Sequence, residues 1–147
     1  MTRMPMTSQP PPENAFSFPV RVYWEDTDAG GVVYHAQYLA FMERARSEWV
    51  RALGWGQDQL SRTHDLAFVV RAMRVDFRAP AKLDDLLSVS VVPAQCRRAS
   101  LVVTQEIRRE GRLLLDAEVR VAAVSVADFR PRAIPEAVLA RLASPAI

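Results

Sequence analysis

The stretch AQYLAFMERARSEWVRALG, residues 36–54, keeps one pattern from end to end. Tyr38, Phe41, Met42, Ala45, Trp49, Ala52 and Leu53 recur at spacings of three and four. That spacing gathers side chains onto one face of an α-helix. Arg44, Arg46, Ser47, Glu48 and Arg51 fill the opposite face. Gly54 stands where a helix of about eighteen residues would stop.

On both sides of this segment the period is two. Upstream, residues 17–25 read as a strand, with Val20 and Val22 on one face and Arg21 and Tyr23 on the other. Downstream, residues 55–64 read as a short helix and a loop. Val69, Arg71, Met73, Val75 and Phe77 then alternate onto one face until Pro80. LLSVSVV, residues 86–92, is a further strand. Leu101, Val103, Gln105 and Ile107 mark another, closed by a Glu110–Gly111 turn. Leu113, Leu115, Ala117, Val119, Val121 and Ala123 define the last, with Asp116, Glu118 and Arg120 on the reverse side. The order is strand, long helix, four strands. One apolar helix face and one apolar sheet face predict a two-layer α+β domain over residues 16–147. Residues 1–15 are rich in proline and read as an extended tail, in which Met4 and Met6 are alternative starts.

Composition narrows the function classes. The chain has 147 residues, half of them apolar, and a net charge of +2. The basic excess is too small to mark a nucleic-acid binder. A single cysteine, Cys96, excludes an intrachain disulfide and a multi-cysteine metal site. Two histidines without H-x-x-x-H spacing give no metal ligand set, and no cofactor motif stands out. Without an 18-residue apolar run or a signal-peptide core, the expected location is the cytoplasm.

The chemistry concentrates between the first strand and the long helix, in EDTDAGGVVYH, residues 25–35. Gly30 and Gly31 permit a tight turn and the close approach of another molecule. The first-turn N–H groups of the helix, near Tyr34 and His35, have no partner inside it and suit a developing oxyanion. Asp28 precedes them across the glycines. A carboxylate facing an oxyanion hole is enough to hydrolyse an activated acyl group such as a thioester. An aspartate in this position also suits simple capping of the helix.

These residues carry a resemblance. VRVYWEDTDAGGVVYHAQYLAFMERARSEWVRALG, residues 20–54, resembles the signature of the YbgC-type acyl-CoA thioesterases, of the 4-hydroxybenzoyl-CoA thioesterase branch of the hotdog superfamily. The likeness continues through residues 68–87 and 101–125 and the PRAIP of residues 131–135. It implies a hotdog fold, a long helix wrapped by a five-stranded antiparallel sheet. It implies a homodimer or a dimer of dimers, with active sites at the dimer interface. On the matching positions Asp28 is the catalytic carboxylate, acting as nucleophile or general base, and the His35 backbone amide polarises the thioester carbonyl. Gly30 and Gly31 shape the approach, while Tyr34, Tyr38 and Glu43 stand beside the substrate. Short or modest acyl-CoA, aromatic acyl groups included, is the implied substrate. Some members engage acyl carrier protein, lie at the inner face of the inner membrane, or are encoded beside the Tol–Pal system.

Coenzyme A carries phosphates, so Arg71, Arg74, Arg78, Lys82, Arg97 and Arg98 are candidate contacts. Arg71 is the most pointed of them, because the strand alternation puts it on an apolar face. Two other functions fit less closely. One is a non-catalytic hotdog protein that binds acyl thioesters or acyl carrier protein. The other is a dehydratase using His35.

Overall fold

Each residue class builds its element through a local rule. The structure, a computed structural model, describes residues 15–143. Residues 1–14, most of the expected tail, lie outside the described residues. The strands are β1 (Phe16–Arg21), β2 (Ala67–Phe77), β3 (Leu86–Cys96), β4 (Ser100–Arg109) and β5 (Arg112–Val124). The helices are α1 (His35–Ala52), α2 (Gln57–His64) and α3 (Glu136–Leu142). The strands form one five-stranded antiparallel sheet in the order β1-β3-β4-β5-β2. β4 and β5 are joined by a two-residue turn in which Glu110 and Gly111 have φ of 49° and 83°, the positive values such a hairpin needs.

α1 packs across one face of the sheet. Phe41, Met42, Ala45 and Trp49 are buried against Leu87, Val89, Val103, Ile107, Leu115, Ala117 and Val119. This is the hotdog arrangement, with the long helix where the residue 36–54 pattern put it. One polar side chain sits inside the core. Gln105, fully buried, donates from Nε2 to Met42 O at 3.1 Å and to Ser90 O at 3.3 Å. It ties a helix carbonyl to the sheet, because a buried amide must find partners.

Four readings need correction. β1 ends at Arg21 rather than at residue 25, and residues 24–26 form a 3₁₀ turn. The cause is Asp26, which is buried and accepts the Tyr23 N–H on Oδ2 at 2.8 Å, closing the turn. Second, β2 carries a bulge between Val70 and Ala72. Val70 pairs with Val121 before it and Met73 with Val119 after it. Arg71 is the extra residue and lies on the outer face beside Arg120 rather than on the apolar face. Third, Asp116, placed on the reverse side of β5, keeps that side but is fully buried there. It is ion-paired with Arg78, and Arg74 Nη1 stands 3.7 Å from its Oδ1. Fourth, α3 was not expected. It buries Val138 and Leu142, whose i, i+4 spacing behind a Pro135 N-cap is a short signal.

Candidate active site

The segment between β1 and α1 folds into a small hairpin in which Asp28 opens the turn at the tip. Thr27 and Val33 bridge its two sides, and Val32 bridges to Lys82. The Asp28 N–H donates to Val32 O at 2.9 Å, and the Gly31 N–H donates to Asp28 O at 3.0 Å. The turn requires φ of +81° at Gly31. At Gly30 the N–H donates to Asp28 Oδ1 at 2.8 Å. A Cβ at Gly30 would stand 3.2 Å from that oxygen, so the glycine lets the carboxylate fold back onto the backbone. Asp28 is exposed, in a cleft lined also by Trp24, Thr27, Ala29 and Leu83. Its Oδ2 takes no hydrogen bond from the described residues.

The hairpin hands the chain directly to α1. Asp26 anchors both ends, with its carboxylate on the Tyr23 N–H and its carbonyl accepting the Tyr34 N–H at 2.9 Å. Tyr34 occupies the N-cap position without a side-chain cap bond. The amides of His35 and Ala36, first in the helix, have no carbonyl behind them in α1. His35 is exposed, its ring 4.6 Å from that of Tyr34 and 6.4 Å from that of Phe77 at the end of β2.

Tyr38 is a post behind the site. It is buried, and its hydroxyl accepts the Ala81 N–H at 2.9 Å. Burial raises the phenol above its ordinary pKa, and the Asp85 and Asp28 carboxylates add to the rise, against the Ala81 bond. That bond fixes residues 79–82 against α1, and the Val33 N–H donates to Ala81 O at 2.9 Å. Tyr38→Phe should therefore lower stability by about 1–3 kcal/mol, since it strands a buried N–H. Urea unfolding measures the change, and a loss below a few tenths of a kcal/mol would contradict the post.

The remaining candidates fall into three places. Lys82 joins Asp28, Gly30, Gly31, Tyr34, His35 and Tyr38, through its bridge to Val32. Arg71 and Arg97 line a hollow of about 280 Å³ on the outer face, with Arg120 as a third guanidinium that strand alternation had placed but not singled out. Arg98 lies in the same β3–β4 hairpin, its carbonyl accepting the Ile134 N–H. Arg71 is six residues before Phe77, roughly 20 Å along the strand, so this hollow is remote from Asp28 within one chain. Arg74 is held by Asp76 at 2.6 Å and belongs to the Asp116 cluster with Arg78.

Glu43 lies eight residues past His35 on α1, about 12 Å along the helix axis. It lines a cavity of about 220 Å³ between α1 and the sheet, walled by Phe68, Val70, Val103 and Val121. Arg46 lines the same cavity, although the helical pattern assigned it to the polar face. Its Nη1 donates to Gln105 Oε1 at 3.0 Å. Burial lowers the guanidinium pKa, and the Glu43 carboxylate opposes that. The signal for this pair was the lone amide among the apolar positions of β4.

Comparison with known proteins gives one answer. The thioesterase superfamily profile matches residues 30–115. The acyl-CoA thioesterase YbgC of Haemophilus influenzae is 48% identical over 128 residues, covering 87% of this chain and 94% of that protein. The acyl-CoA thioester hydrolase YbgC of Escherichia coli O157:H7 is 50% identical over 126 residues, covering 85% and 93%. Among solved structures, a probable thioesterase from Bartonella henselae superposes with a TM-score of 0.78 at 38% identity, over 81% of this chain and 98% of that one.

Proposed function

Because the chain belongs to the thioesterase superfamily, as a YbgC-like acyl-CoA thioesterase of the hotdog fold, we propose that it cleaves the thioester at Asp28, in a site completed by a second copy of the chain. The observation that carries the reading is the Asp28 carboxylate in the hairpin that leads into an uncapped helix, with one oxygen bonded by Gly30 and the other without a hydrogen bond among the described residues. The carbonyl oxygen lies at the first-turn amides of α1, which hold the charge that develops on it. Asp28 takes the proton of an attacking water, or attacks the carbonyl carbon itself and is freed by water afterwards. In either course the C–S bond breaks, the thiolate leaves and is protonated, and the products are a free acid and CoA.

The second copy follows from the sheet. β2 is an edge strand, paired with β5 on one side only, and it exposes Val69, Val70 and Phe77. An open apolar edge is completed by pairing. Antiparallel β2–β2 pairing about a twofold axis would set the Phe77 end of one copy beside the Phe68–Val70 end of the other. The Asp28 cleft of one copy then adjoins the helix–sheet cavity of its partner, and the acyl group lies there. The hollow of Arg71, Arg97 and Arg120 comes close in the same way and offers guanidinium groups to the CoA phosphates. The small cavity supports short or modest acyl groups, carried on CoA or on acyl carrier protein.

No helix among the described residues is long and apolar enough to cross a membrane. The CoA substrate and the unpaired Cys96 suit a cytoplasmic protein, one that can touch the membrane's inner face without entering it. A free-thiol assay over straight-chain, branched and aromatic acyl-CoAs and acyl-carrier thioesters tests the reading. Release is expected to be fastest from short or modest acyl chains. Binding without release from any of them would leave a non-catalytic hotdog protein instead. Light scattering should give a species of at least two chains.

A further inference from the structure

The cavity between α1 and the sheet contains a charge that the packing does not need. Arg46, half-buried, enters it from α1, and among the described residues only its Nη1 has a hydrogen-bond acceptor, the neutral Gln105 amide. A guanidinium carries five N–H donors. Among the described residues no carboxylate lies within ion-pair distance of it. Drawing a half-buried cation partly out of water, with a neutral hydrogen-bond partner and the more distant Glu43 carboxylate, costs desolvation without a full Coulombic return. An unbranched apolar side chain would fill the same space between Phe68, Val103 and the helix at lower cost. The unused donors are left for water or for a ligand in the cavity.

We infer that Arg46 is a specificity residue, whose N–H groups bond an oxygen carried on the far half of the acyl group lodged in this cavity. The inference rests on the two-copy thioesterase site proposed above and names its substrate class, acyl groups with a distal hydroxyl or carboxylate. Glu43 lines the same cavity. A hydroxyl can accept from Arg46 and donate to Glu43, whereas a carboxylate is repelled by Glu43. The hydroxylated acyl group is therefore the better fit.

The test is kcat/KM for heptanoyl-CoA, ω-hydroxyhexanoyl-CoA and adipyl-CoA, in the wild-type protein, Arg46→Met and Arg46→Lys, with melting curves for each. The wild type should favour the hydroxyl ester over heptanoyl-CoA by roughly tenfold or more, the scale of one hydrogen bond to a charged group. Arg46→Met should lose that preference, with kcat/KM falling roughly tenfold more for the hydroxyl ester than for heptanoyl-CoA, because only the hydroxyl ester loses a bond. Arg46→Lys should recover part of it, since a donor and a charge return. Adipyl-CoA as the favoured ester, lost in the same variant, would also support distal oxygen recognition and would assign it to carboxylates. An equal fall on all three esters, or no change on any, overturns the inference and makes Arg46 a packing residue. If the wild type hydrolyses heptanoyl-CoA and shows no oxygen preference, this inference alone fails. If it hydrolyses no thioester, the proposed function fails first and takes this inference with it.

Discussion

Asp28→Asn is expected to lower thioester turnover by roughly two orders of magnitude or more, the scale of lost acid–base catalysis. The substitution keeps the size of the side chain and the acceptor for the Gly30 N–H, now held at 2.8 Å. What it removes is the negative charge and the basic oxygen. An amide neither takes a proton from water at neutral pH nor attacks a carbonyl at a useful rate. Affinity for a non-hydrolysable acyl-CoA analogue should change far less, because the helix amides and the apolar cavity are untouched. A purely structural Asp28 predicts the reverse, a loss of about 1 kcal/mol in stability with the rate per folded molecule nearly intact. Near-wild-type hydrolysis by folded Asp28→Asn protein would remove the carboxylate from the mechanism while leaving the fold assignment standing.

The control for that experiment depends on geometry. Asp26 lies two residues away, but it is buried and its carboxylate closes the 3₁₀ turn. Asp26→Asn keeps an acceptor for the Tyr23 N–H but brings an NH2 group into a buried turn, so a change in rate would not separate chemistry from the hairpin that presents Asp28. Glu25 is exposed in the same acidic run and makes the cleaner control. Glu25→Gln should leave turnover within about twofold, as expected of an exposed charge away from the bond changes.

The difference between these acids shows where sequence pattern stops. The helix and the strand order were legible because burial imposes period 3.6 on α1 and period 2 on the strands, and the long α1 segment meets its rule almost without exception. The hairpin was legible as a candidate site from two glycines and a carboxylate before a helix, a pattern that simple capping also fits. The separate duties of Asp26 and Asp28 were not, because both are short carboxylates in a turn, and only the fold decides which one turns inward. Arg71 was misplaced for a related reason. A bulge inserts one residue without altering composition, so the alternation read through it put the side chain on the wrong face. Asp116 alternated correctly onto the outer face, yet that face is covered locally by the side chains of Arg74 and Arg78. Burial there depends on long side chains from a neighbouring strand, which a single-strand pattern does not contain.

Two individually inactive variants should restore activity when combined, if the site is shared between copies. Asp28→Asn removes the carboxylate from one chain. Ser47→Trp fills the cavity of another, because Ser47 lines it from α1 and is only half-buried. In either homodimer every site carries the defect. In a mixed dimer one site takes Asp28 from the Ser47→Trp chain and an open cavity from the Asp28→Asn chain, so it is whole, while the other carries both defects. Random mixing makes about half of the dimers mixed, each with one of its two sites intact. Co-refolded or co-expressed chains should then recover roughly a quarter of wild-type activity, from a background of a percent or less, as twofold symmetry requires. Melting curves show first that each variant is folded, and light scattering that mixed dimers form. If mixed dimers form and the activity stays at background, cleft and cavity must serve one another within a single chain. The separation of Glu43 and Arg46 from Asp28 argues against that, since about 12 Å of α1 lies between His35 and Glu43. A chain acting alone would have to carry the acyl group along the helix to reach its own cavity, whereas antiparallel pairing of two β2 edges would set the partner's cavity at the cleft mouth.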